Sequence, residues 1–382
     1  MTIICRLAVD RVRSLHRATL ARIGNSTLRS LFGLALVLSA GAATGKPLPP
    51  PVIDMHLHAY TVGETAGAAS CPGSRRSYYP PLDPRAPFDP SKLRACVNPF
   101  RAPATDEALM HDSIAMLRKY NVRHAVASGD LPDVTRWRAA APDRILPAIA
   151  FADDVNRFSV DEFRRLYEAG SFSVFAEVSN EYLGTSPADP RWEPYFALAE
   201  ELDIPVGIHM GEGPVNGGHF PGYEAYRVRY TSPLLLEDVL VRHPKLRIYA
   251  MHYGSPMVEQ TIAMMFTYPN LYVDVACNDW LMPRAQFYAQ LKQLIDAGFE
   301  KRIMFGSDQM WWPQAIGEAI RSIEDAPFLS KSQKRDILYN NAARFLRLSD
   351  AQIEADNQRW RKGLPRGRRN SQTAVSRRLS AP

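Results

Sequence analysis

No Gly-x-Ser-x-Gly elbow occurs anywhere in the chain, so nothing in it points to a serine hydrolase. Cysteine is scarce, with four residues at 5, 71, 96 and 277. Cys71 and Cys96 share one long loop, where an exported protein can pair them, and Cys277 would then be a free thiol. Charge is missing from Ser30 to Gly45, but that run is 16 residues and a membrane-spanning helix needs about 20. Six arginines precede the run, and small residues, Lys46 and a proline stretch follow it. This layout is that of a secretory signal peptide over 1–45, with a cleavage site such as Ala40-Gly41-Ala42. A secreted or periplasmic protein with no stable membrane anchor is expected. No cysteine follows the apolar run directly, which argues against a lipid anchor there.

Acid is absent from the other end. Residues 359–382 hold eight Lys/Arg, no Asp or Glu and little apolar surface, and read as a disordered basic tail. The net charge is +6. Removing the +6 of residues 1–46 and the +8 of the tail leaves the body at −8. An acidic body excludes a nucleic-acid groove and leaves a small molecule as the expected partner. Homo-oligomer formation is left open.

What the body does contain is alternation. Strand-like runs stand at 51–58, 122–128, 144–151, 173–179, 204–210, 246–252, 271–277 and 302–308. Between them "DEALMHDSIAMLRKY", "VDEFRRLYEAG", "WEPYFALAEELD", "PLLLEDVLVRH" and "AQFYAQLKQLIDAG" show apolar spacing of period 3.6. Eight strands with helices between them predict a (β/α)8 TIM barrel over 51–348. A doubly wound sheet, the competing arrangement, would not usually need eight. The segment Ala59–Ala104 is a long loop after strand 1, over the barrel's catalytic face. "SKSQKRDILYNNAARFLRL" reads as a C-terminal closing helix.

Polar residues gather at the predicted strand ends. His56 and His58 in "IDMHLH" are two apart and point the same way, with Asp54 on that face. Glu177, His209, His252 and Asp308 lie at the ends of strands 4, 5, 6 and 8. Four of nine histidines at strand C-termini, with two acids, form a candidate metal site where barrel active sites are built.

With these residues in place, "DMHLH", "GIHMG", "AMHYG" and "MFGSD" resemble the amidohydrolase superfamily, in particular its amidohydrolase-related branch of metal-dependent TIM-barrel enzymes. The resemblance covers about 52–348. It implies His56, His58, His209 and Asp308 as metal ligands, and His252 beside a second metal or the activated water. Strand 4 has no lysine to carboxylate, so Glu177 is either a ligand shared by two metals or a carboxylate orienting His56 or His58. One divalent ion is expected, zinc first, with a second left open.

The implied chemistry is hydrolysis of an ester, lactone or amide by metal-activated water. Asp308 would move the proton, and His252 would polarise the carbonyl. The alternative is a metal-dependent decarboxylase on the same barrel, which a carboxylate-binding arginine opposite the metal would favour. Arg227 and Arg229 are candidates to bind a substrate carboxylate, and Trp311 and Trp312 to wall the pocket. Glu212, three residues after His209, reads either as a proton shuttle or as a loop carboxylate. His219 is expected on the solvent or substrate side. His111, His124 and His243 are expected to be structural.

Overall fold

A computed structural model describes residues 48–362 except 81, 90–95, 152–153, 155–156 and 220–221. The expected leader and residues 363–382 of the expected tail lie outside the described residues. Each β-branched run becomes a strand: β1 (Val52–His58), β2 (Val122–Ser128), β3 (Ile145–Phe151), β4 (Val174–Val178), β5 (Val206–His209), β6 (Ile248–Met251), β7 (Tyr272–Asp274) and β8 (Ile303–Met304). They pair in parallel in sequence order as one eight-stranded sheet.

The last strand returns to the first through backbone bonds from Met55 N–H to Phe305 C=O (2.9 Å) and from Asp308 N–H to His56 C=O (2.7 Å). Side chains complete this seam. Gln309 accepts from His58 N–H (2.9 Å) and donates to His58 C=O (2.6 Å). Asp54 Oδ1 accepts from the N–H of Ser307 (2.9 Å) and of His56 (3.1 Å). Asp54 thus braces the join between β8 and β1. Burial raises its pKa and those bonds lower it, for a net rise to about 6.

Eight outer helices follow the strands: α1 (Asp106–Lys119), α2 (Leu131–Ala140), α3 (Val160–Glu168), α4 (Glu193–Glu201), α5 (Glu237–Arg242), α6 (Val258–Thr267), α7 (Arg284–Asp296) and α8 (Gln314–Glu324). Their ends follow local chemistry. Thr105 caps α1 by accepting from Ala108 N–H, with acids in the first turn and Arg118 and Lys119 in the last. Among the described residues, no helix is long and apolar enough to cross a membrane.

Apolar residues sort into two cores. The larger lies between strands and helices and holds Trp137, Phe163, Phe196 and Ile320. The smaller draws on the strands themselves, with Ile53, Met55, Val126, Ala148, Val174, Ala176, Met251 and Met304, so it fills the barrel. Tyr339, Ala342 and Phe345 of the closing segment 331–345 join that inner core and seal one end.

A further helix, α10 (Asp350–Lys362), follows, counting the closing segment as α9; it was not expected, and it takes in the first four residues read as tail. Buried Asp356 ties it to β2, accepting from Arg123 Nε (3.2 Å), His124 Nε2 (2.9 Å) and the Tyr339 hydroxyl (2.8 Å). His124 is structural, as read.

The long loop after β1 is organised. A two-residue antiparallel ladder joins Ala69–Ser70 to Phe100–Arg101. Cys71 and Cys96 form a disulfide with Cα atoms 5.9 Å apart. Closing that 25-residue separation is worth about 3.5 kcal/mol by the chain-entropy model.

Candidate metal centre

His56 and His58 end β1, Glu177 lies near the end of β4, and His209 ends β5. The other two stand later than the sequence placed them. β6 and β8 stop at Met251 and Met304, so His252 and Asp308 are on the loops that follow. Both take left-handed backbone, with φ of 57° and 44°. Non-glycine residues adopt this rarely and at a cost, mostly where surrounding structure demands it.

Period 2 alone would send Met55 and His56, or Ala176 and Glu177, to opposite faces. In each pair the first residue packs in the inner core while the second joins the polar cluster. The strand register shifts at both places, between Asp54 and Leu57 and between Phe175 and Val178. Such irregularities re-aim side chains next to active sites. The motif glycines also have a reason. A Cβ at Gly306 would lie 2.7 Å from the Cβ of His56, and one at Gly211 would lie 2.9 Å from that of His252.

The outward nitrogens of the four rings are each engaged. His56 Nδ1 meets Asp274 Oδ2 at 3.2 Å, and His209 Nδ1 meets Glu181 Oε1 at 2.6 Å. His252 Nδ1 lies 3.0 Å from the Ala276 carbonyl. A carbonyl only accepts, so this nitrogen carries the proton. His58 Nδ1 lies 3.0 Å from Ser128 Oγ, whose own proton can reach the Leu57 carbonyl at 3.5 Å. With the protons outside, four Nε2 lone pairs point inward. With Nδ1 donating to the Ala276 carbonyl, His252 can offer its Nε2 lone pair, which is the part of a ligand. Only as imidazolium could it donate to a carbonyl from Nε2.

The inward atoms converge in two sets around one carboxylate. Glu177 Oε2 lies 3.8 Å from His56 Nε2 and 3.6 Å from His58 Nε2. Those two nitrogens are 3.2 Å apart, and Asp308 Oδ1 is 3.0 Å from His58 Nε2 and 3.9 Å from His56 Nε2. Glu177 Oε1 faces the other pair, 3.9 Å from His209 Nε2 and 3.6 Å from His252 Nε2.

Tetrahedral coordination with bonds of 2.0–2.1 Å has ligand–ligand edges of about 3.3–3.4 Å, and these separations scatter about that value. The residues fit a divalent cation. His209 groups with His252 and Glu177 rather than with the β1 pair. Glu177 meets ring Nε2 atoms on both sides, while Asp274 and Ser128 hold His56 and His58 from outside. Glu177 thus stands in the candidate ligand group with His209 and His252.

The electrostatics agree. Burial disfavours charge on Glu177, but the surrounding imidazoles of His252, His56 and His209 outweigh it and hold the carboxyl well below its usual range. Burial likewise opposes charge on Asp308, yet His56 and His58 bring it down to about 2. Burial works against charge on His209, and Glu181 more than compensates, raising it to about 9. Protons and cations compete for the same nitrogens.

Glu181 is fully buried and orients His209. Glu181→Gln should weaken metal affinity about 10- to 100-fold in competition with a chromophoric chelator, and an unchanged affinity would remove it from the site.

Other expected residues fall around this centre. Trp311 donates its indole N–H to the Thr61 carbonyl (2.9 Å) and lies against Tyr60, which stacks on His58 with ring centroids 4.3 Å apart. Trp311 thus stands beside the cluster through Tyr60, while Trp312 packs against buried Trp280. Arg227 and Arg229 are exposed and turned to their own loop. The Arg227 guanidinium donates to the carbonyls of Glu224 and Tyr226, and Arg229 lies over the Tyr230 ring. Their expected carboxylate-binding role finds no support in this placement.

Glu212 accepts from the Tyr78 hydroxyl at 2.7 Å. His219 is exposed, and His243 is paired with Glu193 and Glu200. Cys277 is free and partly buried beyond β7, with its thiol pushed up by burial and by Asp308. Sequence reasoning passed over Asp274 and Glu181. The available signal was an acid inside an apolar strand run, "LYVDVAC", and one just past β4, "EVSNEYLG".

The fold recurs among known proteins. A search of curated protein sequences gave no match. Among solved structures, an uncharacterized TIM-barrel protein from Bordetella bronchiseptica is 19% identical, with a TM-score of 0.53 over 80% of this chain and 99% of that one. A probable 2-pyrone-4,6-dicarboxylic acid hydrolase from Acinetobacter baumannii, with citric acid bound, is 14% identical, with a TM-score of 0.51 over 78% of this chain and 99% of that one. A 2,6-dihydroxybenzoate decarboxylase from Rhizobium is 15% identical, with a TM-score of 0.49 over 79% and 99%. The first two of these likenesses establish the barrel fold. The amidohydrolase family model matches residues 53–348, from the second residue of β1 to just past the closing segment. The chain belongs to the amidohydrolase family.

Proposed function

We propose that the chain is a metal-dependent hydrolase that cleaves an ester, lactone or amide of a small molecule by attack of water. The observation that carries this reading is the convergence of four imidazole lone pairs on both oxygens of Glu177, with Asp308 alongside. His56, His58, Asp308 and Glu177 Oε2 would hold one cation, and His209, His252 and Glu177 Oε1 a second. Zinc suits this nitrogen and carboxylate set. A divalent cation held there supplies charge that polarises a carbonyl and lowers the pKa of water from about 16 to about 7. Asp308, at the barrel mouth, takes the proton from the attacking water and returns it to the leaving group. The buried carboxylates Asp274 and Glu181 keep the rings aimed while this happens.

Among the described residues, the ionic partners of the cluster are histidine and carboxylate. The two arginines that would favour a decarboxylase are engaged elsewhere. The Cys71–Cys96 disulfide supports action in an oxidising compartment, in line with export.

The test is a screen of metal-reconstituted protein against lactones, esters, amides and aromatic carboxylates. Proton release and carbon dioxide are followed together. Acid release from an ester, lactone or amide without carbon dioxide is expected. Carbon dioxide from a carboxylate, with no bond hydrolysed, would overturn the proposal.

A further inference from the structure

Aromatic rings stand on two sides of the metal centre, and loops at the barrel's C-terminal rim supply all of them. On the β1 and β8 side, Tyr60 stacks on His58, and Trp311 lies 5.3 Å from Tyr60. On the β4 and β5 side, Tyr182 meets His209 edge-on at 5.6 Å, with Tyr223 and Tyr226 at 5.0 and 5.3 Å from it. His58 and His209 contact opposite oxygens of Glu177, so the two ring groups flank that carboxylate. Tyr60, Tyr182, Tyr223 and Trp311 all keep part of their surface open. Buried core rings would not.

A third side is polar and acidic. The disulfide-tied loop brings Tyr78 over the mouth, where its hydroxyl lies 2.7 Å from Glu212 Oε1 and 3.0 Å from Asn278 Oδ1. That hydroxyl has one proton to give, so it serves one acceptor at a time. Asn278 in turn donates to the carbonyl of His252 (3.3 Å), so this trio borders the metal ligands directly. Glu212 retains a second oxygen for a donor.

We infer that the site takes a ring-bearing substrate without a carboxylate of its own, an aryl ester, lactone or amide, its ring held between the Tyr60–Trp311 pair and the Tyr182 group. Planar rings gain from offset or edge-on contact with such walls. An anionic substituent would meet Glu177 and Asp308, whose ionic partners among the described residues are histidines and not arginines. The inference rests on the hydrolase reading for the bond that is cleaved, but not for the shape and charge of the pocket.

The experiment measures binding rather than turnover. Calorimetry on zinc-loaded protein compares benzohydroxamate, acetohydroxamate and 4-carboxybenzohydroxamate, which share one metal-binding group. Benzohydroxamate should bind about tenfold more tightly than acetohydroxamate. The 4-carboxy ligand should bind more weakly than benzohydroxamate. The aryl preference should fall in Tyr182→Ala and in Trp311→Ala, and survive in Tyr182→Phe. Equal binding of the aryl and methyl ligands, tighter binding of the carboxylate, or no hydroxamate binding at all would overturn the inference. If the aryl preference holds while no ester, lactone or amide is cleaved, the hydrolase reading fails and the pocket's selectivity stands.

Discussion

Asp308→Asn should lower kcat/KM for the identified substrate by about 10³-fold, roughly 4 kcal/mol of transition-state stabilisation. The amide keeps the shape of the side chain and the loop's left-handed turn. It removes the negative charge that His56 and His58 stabilise, and with it the ability to accept a proton. Asp308 also offers a ligand atom to the His56 and His58 side of the cluster, so metal content must be measured on the same sample. The decisive comparison is activity per bound metal. If that quantity stays within tenfold of the parent, Asp308 is not the proton-transfer group, and the role must pass to another carboxylate, with Glu212 the next nearest in kind.

Glu177→Ala should have the second large effect. This carboxylate is the one group whose two oxygens face the two histidine pairs separately. In the proposed two-ion arrangement its loss would remove a ligand from both sets and leave His209 and His252 with no carboxylate ligand between them. Bound metal measured by plasma emission should fall from two towards one per chain, and kcat/KM should fall by about 10³-fold or more. Retention of two ions in the variant would show that Glu177 does not bridge. A parent protein that saturates with one ion would restore the single-ion arrangement expected from the sequence. Thermal melting of the variant, followed by circular dichroism, separates ligand loss from failure to fold.

The barrel was legible because its signals are local. β-Branched runs and period-3.6 stretches declare strands and helices without knowledge of their neighbours, and the predicted β2 coincides with Val122–Ser128. The candidate cluster was legible for a related reason. Histidines that end otherwise apolar strands have few structural uses in such numbers.

What escaped depends on partners distant in sequence. Asp274 looks like one acid in a strand until folding sets it 3.2 Å from His56, 218 residues earlier. Glu181 gains meaning only against His209. The register shifts that turn His56 and Glu177 inward arise from neighbouring strands. Arg227 and Arg229 looked available because spacing cannot reveal that their guanidinium groups face their own loop. Helix α10 was missed because a polar stretch becomes helical when one buried carboxylate, Asp356, finds β2.

The seam between β8 and β1 has one more consequence. A barrel built in sequence order must join its oldest and youngest segments last, and here two main-chain bonds are backed by Asp54 and Gln309 reaching across. His56 and His58 stand on one lip of that join and Asp308 on the other. A cation bound among them would act as a clasp, so part of its binding energy would be spent keeping the cylinder shut. Catalytic competence and closure of the fold would then be one equilibrium. A chain that has lost its ion would be poised to open along this line before any other.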